Sequence, residues 1–240
     1  MKYLILQVKA PQVSFRRPLD LNYQRTLPLP PPTTLLGLAG AALGLSESEI
    51  WNEIKWRPLR DLRVSCLSNC DFGKAKDMMS LLKIKSGKAQ RSPYFRELLF
   101  NVEYTLIYAG QQEIIDQLAS AFSDPFYPLS LGREDELIEL VSINKIDKIH
   151  PGTSIFYGTA IPGDIKDMEF EIMEFEEKPI KIEPAIVENI PLEFKVKKGI
   201  RTATKKSVIS FLPYNLRVNV INFNGEILNL NGRNFTWMNY

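Results

Sequence analysis

The chain has 240 residues, a formal net charge of +2, two cysteines, and apolar and charged fractions of 45% and 24%. These values exclude a disordered chain and a disulfide-stapled miniprotein, and they allow one large domain or two modest ones with a core that needs no cross-link. A net charge this close to zero says nothing about nucleic acid, so the question passes to how charge is distributed along the chain.

Residues 2–10 (KYLILQVKA) predict a strand apolar enough for the middle of a sheet. The first residues mimic a signal peptide, but their apolar run breaks at Gln7 and Lys9. The uncharged run 35–45 is far short of the ~20 residues a membrane span requires, so a cytoplasmic protein without a membrane partner is expected. A loop opened by Pro11 and Pro18 then carries Ser14, Phe15, Arg16, Arg17, Tyr23 and Arg25. Pro30, Pro31 and Pro32 hold the backbone extended, and Thr33 and Thr34 offer hydroxyls to the free N–H groups of a helix over 35–43. That helix is built of Leu, Ala and Gly and must be buried. Gly37, Gly40 and Gly44 fall near one face, and each glycine costs about 1 kcal/mol in a helix interior, so another backbone is expected close by. Gly44 reads as the left-handed stop. A basic loop before a rigid helix start can cradle a phosphate, or it can be a solvated loop over a core helix.

Ser46 or Ser48 caps a second helix over 49–55, and a strand follows at 59–69 with Leu62, Val64 and Cys66 on one face. Cys66 and Cys70 lack a second Cys or His pair for zinc and are poorly spaced for a disulfide, so both read as reduced core thiols. Residues 72–96 place Lys74, Lys76, Lys83, Lys85, Lys88, Arg91 and Arg96 against Asp77 alone, a net of +6, with a turn signal at Ser86-Gly87. This is a protruding hairpin or a mobile basic loop. A strand at 98–109, an amphipathic helix at 111–123 and a strand at 137–143 complete the order β-α-β-β-α-β. The predicted fold is therefore α+β: a ferredoxin-like (RRM-like) domain over 1–150 with an inserted basic thumb hairpin, then a smaller β-rich lobe over 151–240. The second lobe reads as strands near 154–160, 168–174, 181–187, 192–196, 208–212 and 216–221. Its charge is split, with ten acids and three lysines over 164–193 and six basic residues and no acid over 195–206. The two blocks can pair as neighbouring strands, or the basic one can face RNA and the acidic one a protein partner or solvent.

No catalytic set stands out. His150 is the single histidine, and before Pro151 it reads as a hydrogen-bonded structural residue. There is no phosphate-binding GK[ST] loop and no paired-carboxylate metal pattern, so neither cofactor nor metal is expected.

Three stretches carry a resemblance. They are Phe15-Arg16-Arg17-Pro18, the run PPPTTLLGLAGAALG from Pro30 to Gly44, and Leu129-Ser130-Leu131-Gly132-Arg133-Glu134-Asp135. Together they resemble the CRISPR-associated protein 5 family of the RAMP superfamily, over roughly the first 135 residues. The length and the proline-rich approach to the helix are most similar to members from type I-B Cascade. The resemblance implies a subunit that caps one end of the complex in antiviral defence. Such a subunit grips the 5′ handle of the crRNA and joins the backbone subunits to the large subunit, and target DNA is met only through the guide. It implies phosphate contacts from Arg16, Arg17 and Arg25, a stacking surface from Phe15 or Tyr23, and Thr33 and Thr34 at the helix start. Lys74, Lys76, Lys83, Lys85, Lys88 and Arg91 would add charge on the thumb. Arg133 is a further contact, or else an ion pair with Glu134 or Asp135. One branch of the family is a repeat-specific endoribonuclease that uses a Tyr, Lys and His cluster. The only histidine here follows Ile149, so a non-catalytic role is expected, with the endoribonuclease and a pure protein adaptor as alternatives.

Overall fold

The computed structural model describes residues 1–85, 87–174 and 181–239, with the side chains of Lys85 and Lys88 left aside. In chain order the elements are β1 (Lys2–Val13), β2 (Tyr23–Gln24), α1 (Pro32–Ala42), α2 (Glu47–Asn52), α3 (Arg57–Arg60), β3 (Arg63–Ser68), β4 (Gly73–Lys85), β5 (Lys88–Gly110), α4 (Gln112–Ser123) and β6 (Glu139–Ile146). The remainder is strand: β7 (His150–Pro151), β8 (Ile155–Phe156), β9 (Ala160–Pro162), β10 (Phe170–Ile172), β11 (Ile186–Lys197), β12 (Ile200–Phe211), β13 (Val218–Val220), β14 (Leu228–Leu230) and β15 (Arg233–Phe235). The protein is mixed α+β and mostly strand.

β5 organises the first half. Its later residues pair antiparallel with β1 on one side, Ile5 opposite Ile107, and with β3 on the other, Ser65 opposite Ile107. β6 pairs antiparallel with the free side of β1, which gives the order β6-β1-β5-β3. The period-2 alternation of β1 decides what covers each face. Leu4, Leu6 and Val8 point to one side, where they share a core with Tyr104, Leu106 and Tyr108 of β5 and the apolar residues of α1 and α4. Tyr3 and Ile5 point to the other, where Leu228, Phe235 and Trp237 cover them, and the Tyr3 and Trp237 rings stack with centroids 6.3 Å apart. Both faces of the sheet are therefore occupied, one by helices and one by the small sheet β15-β14-β7.

α1 begins three residues earlier than its sequence suggests. Pro31 is the N-cap and Pro32 starts the helix, since proline loses nothing by lacking an N–H in the first turn. Thr33 and Thr34 therefore lie inside the first turn, and no side chain caps it. Tyr104 and Tyr108 donate their hydroxyls to the Pro28 and Leu35 carbonyls at 2.8 and 3.0 Å, which pins the proline-rich approach and the helix start to the sheet. At the other end Leu45 N–H reaches Gly40 O and Gly44 N–H reaches Ala41 O, a full Schellman closure, with Gly44 at φ +74° as expected. The close neighbour of the glycine face is a side chain rather than a backbone. A Cβ on Gly40 would sit 2.3 Å from Ile50 Cδ1, while Gly37 faces open space.

Other boundaries moved for local reasons. β1 runs through Pro11 to Val13, because Asn101 takes φ +53° where the ladder skips Pro11, between Ala10–Val102 and Gln12–Phe100. Ser46 is the cap of α2, closing a capping box with Glu49. Pro58 in a first turn starts α3 where a strand was expected, so β3 begins only at Arg63. Cys66 is buried, but Cys70 lies beyond the end of β3 and outside the core, and both are free thiols.

β11 and β12 form one continuous hairpin, which pairs onward with β9. The charge blocks of this lobe do not simply pair with each other. Glu183 meets Lys74 and Glu188 meets Arg17, so acids of the second lobe neutralise basic residues of the first. The acids and lysine at 176–178 fall outside the described residues.

Candidate nucleic-acid interface

β4 and the first half of β5 make the basic hairpin expected at 72–96, in register from Gly73 opposite Phe100 to Lys85 opposite Lys88. Lys74 and Lys76 stand at its base. Lys74 pairs with Glu183, and the Lys76 ammonium lies 5.7 Å from the centre of the Tyr23 ring. Lys83 and Arg91 are exposed toward the tip, with the backbone of Lys85 and Lys88 next to the turn. The tip residues are about 30 Å of strand from the base, so hairpin base and hairpin tip are separate contact surfaces.

The loop between β1 and α1 is fastened to that base. β2 pairs in parallel with Phe95–Arg96 of β5. Tyr23 donates to Glu97 at 2.7 Å, and that carboxylate also accepts the Thr26 N–H at 3.1 Å. The hydrogen bond to Glu97, with a smaller contribution from burial, pushes the Tyr23 phenol up to about 12. Favouring the protonated phenol in the fold places this contribution below the ordinary tyrosine value, to be lost as pH rises through about 12. In a spectrophotometric titration the Tyr23→Phe difference curve is expected to show one phenol ionising near 12 rather than near 10. Arg25 is exposed and binds Asp20, its Nη2 2.7 Å from Oδ1. Burial pushes the Asp20 carboxyl up, but the Arg25 side chain and amide together hold it below its ordinary value.

Between this loop, the start of α1, the turn after Leu131 and the β11–β12 hairpin lies a cleft of about 720 Å³. It gathers Arg16, Arg17, Thr33, Thr34 and Arg133 with Arg201 of β12. The four guanidinium groups differ in what they hold. Arg17 pairs with Glu188, and Arg201 pairs with Glu47 while lying 4.9 Å over the Phe194 ring. Arg16 donates to the Asp20 carbonyl and Arg133 to the Gln24 side-chain oxygen. Those acceptors are neutral, and among the described residues neither Arg16 nor Arg133 has a carboxylate partner. Two net positive charges thus face the first turn of α1, whose N–H groups add a further positive potential. Phe15 adjoins the cleft, but its ring is 2% exposed and packs on Tyr104 with centroids 6.2 Å apart, so it offers no face to a base. Arg133 does not pair with Glu134 or Asp135.

Glu136 builds this site. Its side chain is fully buried, and its oxygens accept Ser14 N–H at 2.7 Å, Ser14 Oγ at 2.6 Å and Arg133 N–H at 2.9 Å. Its Oε1 also lies 4.0 Å from Nη1 of buried Arg96. One carboxylate therefore clamps the arginine loop to the arginine turn. Gly132 makes the clamp possible. It adopts φ +117°, and a Cβ there would lie 2.3 Å from Glu136 Oε2 and 2.4 Å from the Ser14 carbonyl. Glu136, Gln24 and Arg201 are the site residues that sequence reasoning missed. Only the basic block at 195–206 hinted at Arg201. Among the described residues no group of three or more His, Cys, Asp or Glu is placed to hold a metal, and no helix is long and apolar enough to cross a membrane.

The arrangement of helices, sheet, basic hairpin and cleft is a mixed α+β fold shared with several solved structures. A chain of a CRISPR RNA-guided surveillance complex superposes with a TM-score of 0.54 at 16% identity, covering 91% of this chain and 89% of that one. A crystal structure of a CRISPR protein from Archaeoglobus fulgidus gives 0.52 at 12% identity, with 98% of each covered. A chain of the type III-B Cmr-beta complex bound to cognate target RNA and AMPPnP gives 0.50 at 12% identity, with 91% and 86% covered. At such identities the likeness is one of fold. No curated protein matches the sequence. The family model described as CRISPR-associated protein (Cas_Cas5) matches residues 3–159, well over half of the chain. The protein belongs to the CRISPR-associated protein 5 family.

Proposed function

We propose that this chain is a non-catalytic subunit of a type I CRISPR surveillance complex, that it binds and caps the 5′ handle of crRNA, and that it links the backbone subunits to the large subunit. The observation that carries the reading is the cleft, where Arg16 and Arg133 have only neutral acceptors and face the start of α1. Guanidinium groups without carboxylates, beside the positive end of the α1 dipole, suit the phosphates of a single strand. The order β6-β1-β5-β3, all antiparallel, supports a ferredoxin-like reading of the first domain. The thumb supports a protein contact as well as a charge contact. Met78, Leu82 and Ile84 share one face of β4 with Phe95 opposite Met78, all exposed, a patch suited to a backbone subunit. Assignment to type I-B rests on the proline-rich approach and the length alone. The same proposal puts the protein in the cytoplasm, with target DNA reached only through the guide.

The absence of a catalytic role is part of this reading. His150 is exposed on β7, past the point where β6 leaves Tyr3, whereas the cleft opens beyond the other end of β1. Two measurements test the proposal. Handle RNA should bind with a log–log salt slope of roughly −3.5 if ~5 phosphates are neutralised, and a slope near zero would count against it. Precursor repeat RNA incubated with the protein in EDTA should stay intact, and site-specific cutting lost in His150→Ala would establish the endoribonuclease instead.

A further inference from the structure

A second cleft of about 790 Å³ adjoins the first, and Phe194 lines both. One wall of it carries Trp51, Arg57 and Arg60, and the other carries Lys195 and Lys197 of β11. Two carboxylates, Asp61 and Glu193, also line it. Asp61 is engaged by Arg57 at 3.5 Å, and Glu193 lies opposite Lys205 in the ladder. Arg60 caps α2 and the turn after it through the Ile50 and Glu53 carbonyls, at 2.6 and 2.9 Å, so its charge is not cancelled there.

The hairpin tip adds to this. Strand alternation sends Ile190, Leu192 and Phe194 inward and leaves Glu193, Lys195 and Lys197 exposed. Lys198 and Gly199 close the hairpin at φ +52° and +72°. Lys205 and Lys206 are both exposed on the returning strand β12. Glu193 is the only acid in 190–211. Among the described residues none of the five lysines makes an ion pair, although other acids of this lobe reach across to Arg17 and Lys74. Hairpin cations left unpaired, next to a cleft with uncompensated arginines and sharing an aromatic wall with it, form one continuous positive track.

We propose that the β11–β12 hairpin is a second arm for single-stranded RNA: the strand held in the first cleft passes Phe194, and its next phosphates lie on Lys195, Lys197, Lys198 and Arg60. This rests on the first cleft binding RNA. Lysines act here as flexible point charges along a backbone path and carry no base preference.

The test uses the full chain and two uridine-rich RNAs, one of about 6 and one of about 12 nucleotides, within the range a single-strand groove accepts. Their salt slopes are compared for wild type, for the triple variant Lys195→Gln, Lys197→Gln, Lys198→Gln, and for Arg16→Ala, Arg133→Ala. The triple variant is expected to bind the short RNA as wild type does and to lose about 2 from the slope for the long one, three contacts at ~0.7 each. Its thermal transition should not move, because these side chains are exposed. If the long-RNA slope is unchanged in the triple variant while the arginine variant weakens both RNAs, the second arm is overturned and the first cleft stands. If wild type binds neither RNA, both fall.

Discussion

Glu136→Ala is expected to lower stability by about 3–5 kcal/mol, the cost of breaking a buried charged cluster by removing one partner. The variant leaves the Ser14 and Arg133 N–H groups and the Ser14 hydroxyl without acceptors inside the protein. It also removes the carboxylate 4.0 Å from Arg96 Nη1, an atom that already lacks a hydrogen-bond partner, and leaves that guanidinium with Asp77 alone among the described residues. For a chain of this length the melting temperature should fall by about 10 °C. Glu136→Gln is the informative companion. Its amide oxygen can accept both backbone N–H groups and its NH₂ can donate to Ser14 Oγ, so only the charge facing Arg96 is lost and the cost should be about 1–2 kcal/mol. Calorimetry that finds Ala and Gln equally harmful would mean that charge, and not the three accepted hydrogen bonds, holds the loop to the turn.

The second large effect concerns binding. Arg16→Ala with Arg133→Ala is expected to weaken handle RNA by about 10²-fold or more, taking about 1.5–3 kcal/mol for each charged hydrogen bond, and to flatten the salt slope by ~1.4. The same pair of substitutions at Arg17 and Arg201 should do much less. Those guanidinium groups are engaged by Glu188 and Glu47, so a phosphate would have to break an existing ion pair to reach them. Fluorescence anisotropy on both double variants compares them directly. Equal losses from the two pairs would show that the existing ion pairs open on binding and that compensated and uncompensated arginines contribute alike.

How much of this could be read beforehand follows from the range of the interactions involved. The glycine stop of α1, the α4 pattern and the β4–β5 hairpin with its turn were legible, because each depends on neighbours in sequence. Pro191 and the alternation of charge hid the continuous strands β11 and β12, whose pairing crosses irregularities near Pro191 and Glu193. β7, β14 and β15 are two or three residues long and leave almost no periodic trace. In the site, the arginine loop and the LGRED turn were visible as residue types. What each guanidinium holds was not, since Arg17 meets Glu188 from 171 positions away and Arg133 meets Gln24 from 109. Phe15 misled for the same reason. An aromatic among arginines looks like a stacking platform until the fold assigns its ring to the interior. Glu136 passed unnoticed because an acid following two acids reads as solvated surface.

Small RNA-recognition modules splay bases across an open sheet, but here that broad surface is roofed by the strands around Trp237. On the proposed function, a bound strand would be left with the border of the sheet, where the loops and hairpins lie. Loops tolerate exchange without disturbing the ladder beneath them. Under the proposed function, handle preference would then be set by the side chains these segments turn toward the cleft, such as Arg16 and Arg133, while Ser14, β2 and Gly132 have to stay because they fasten loop and turn to the sheet.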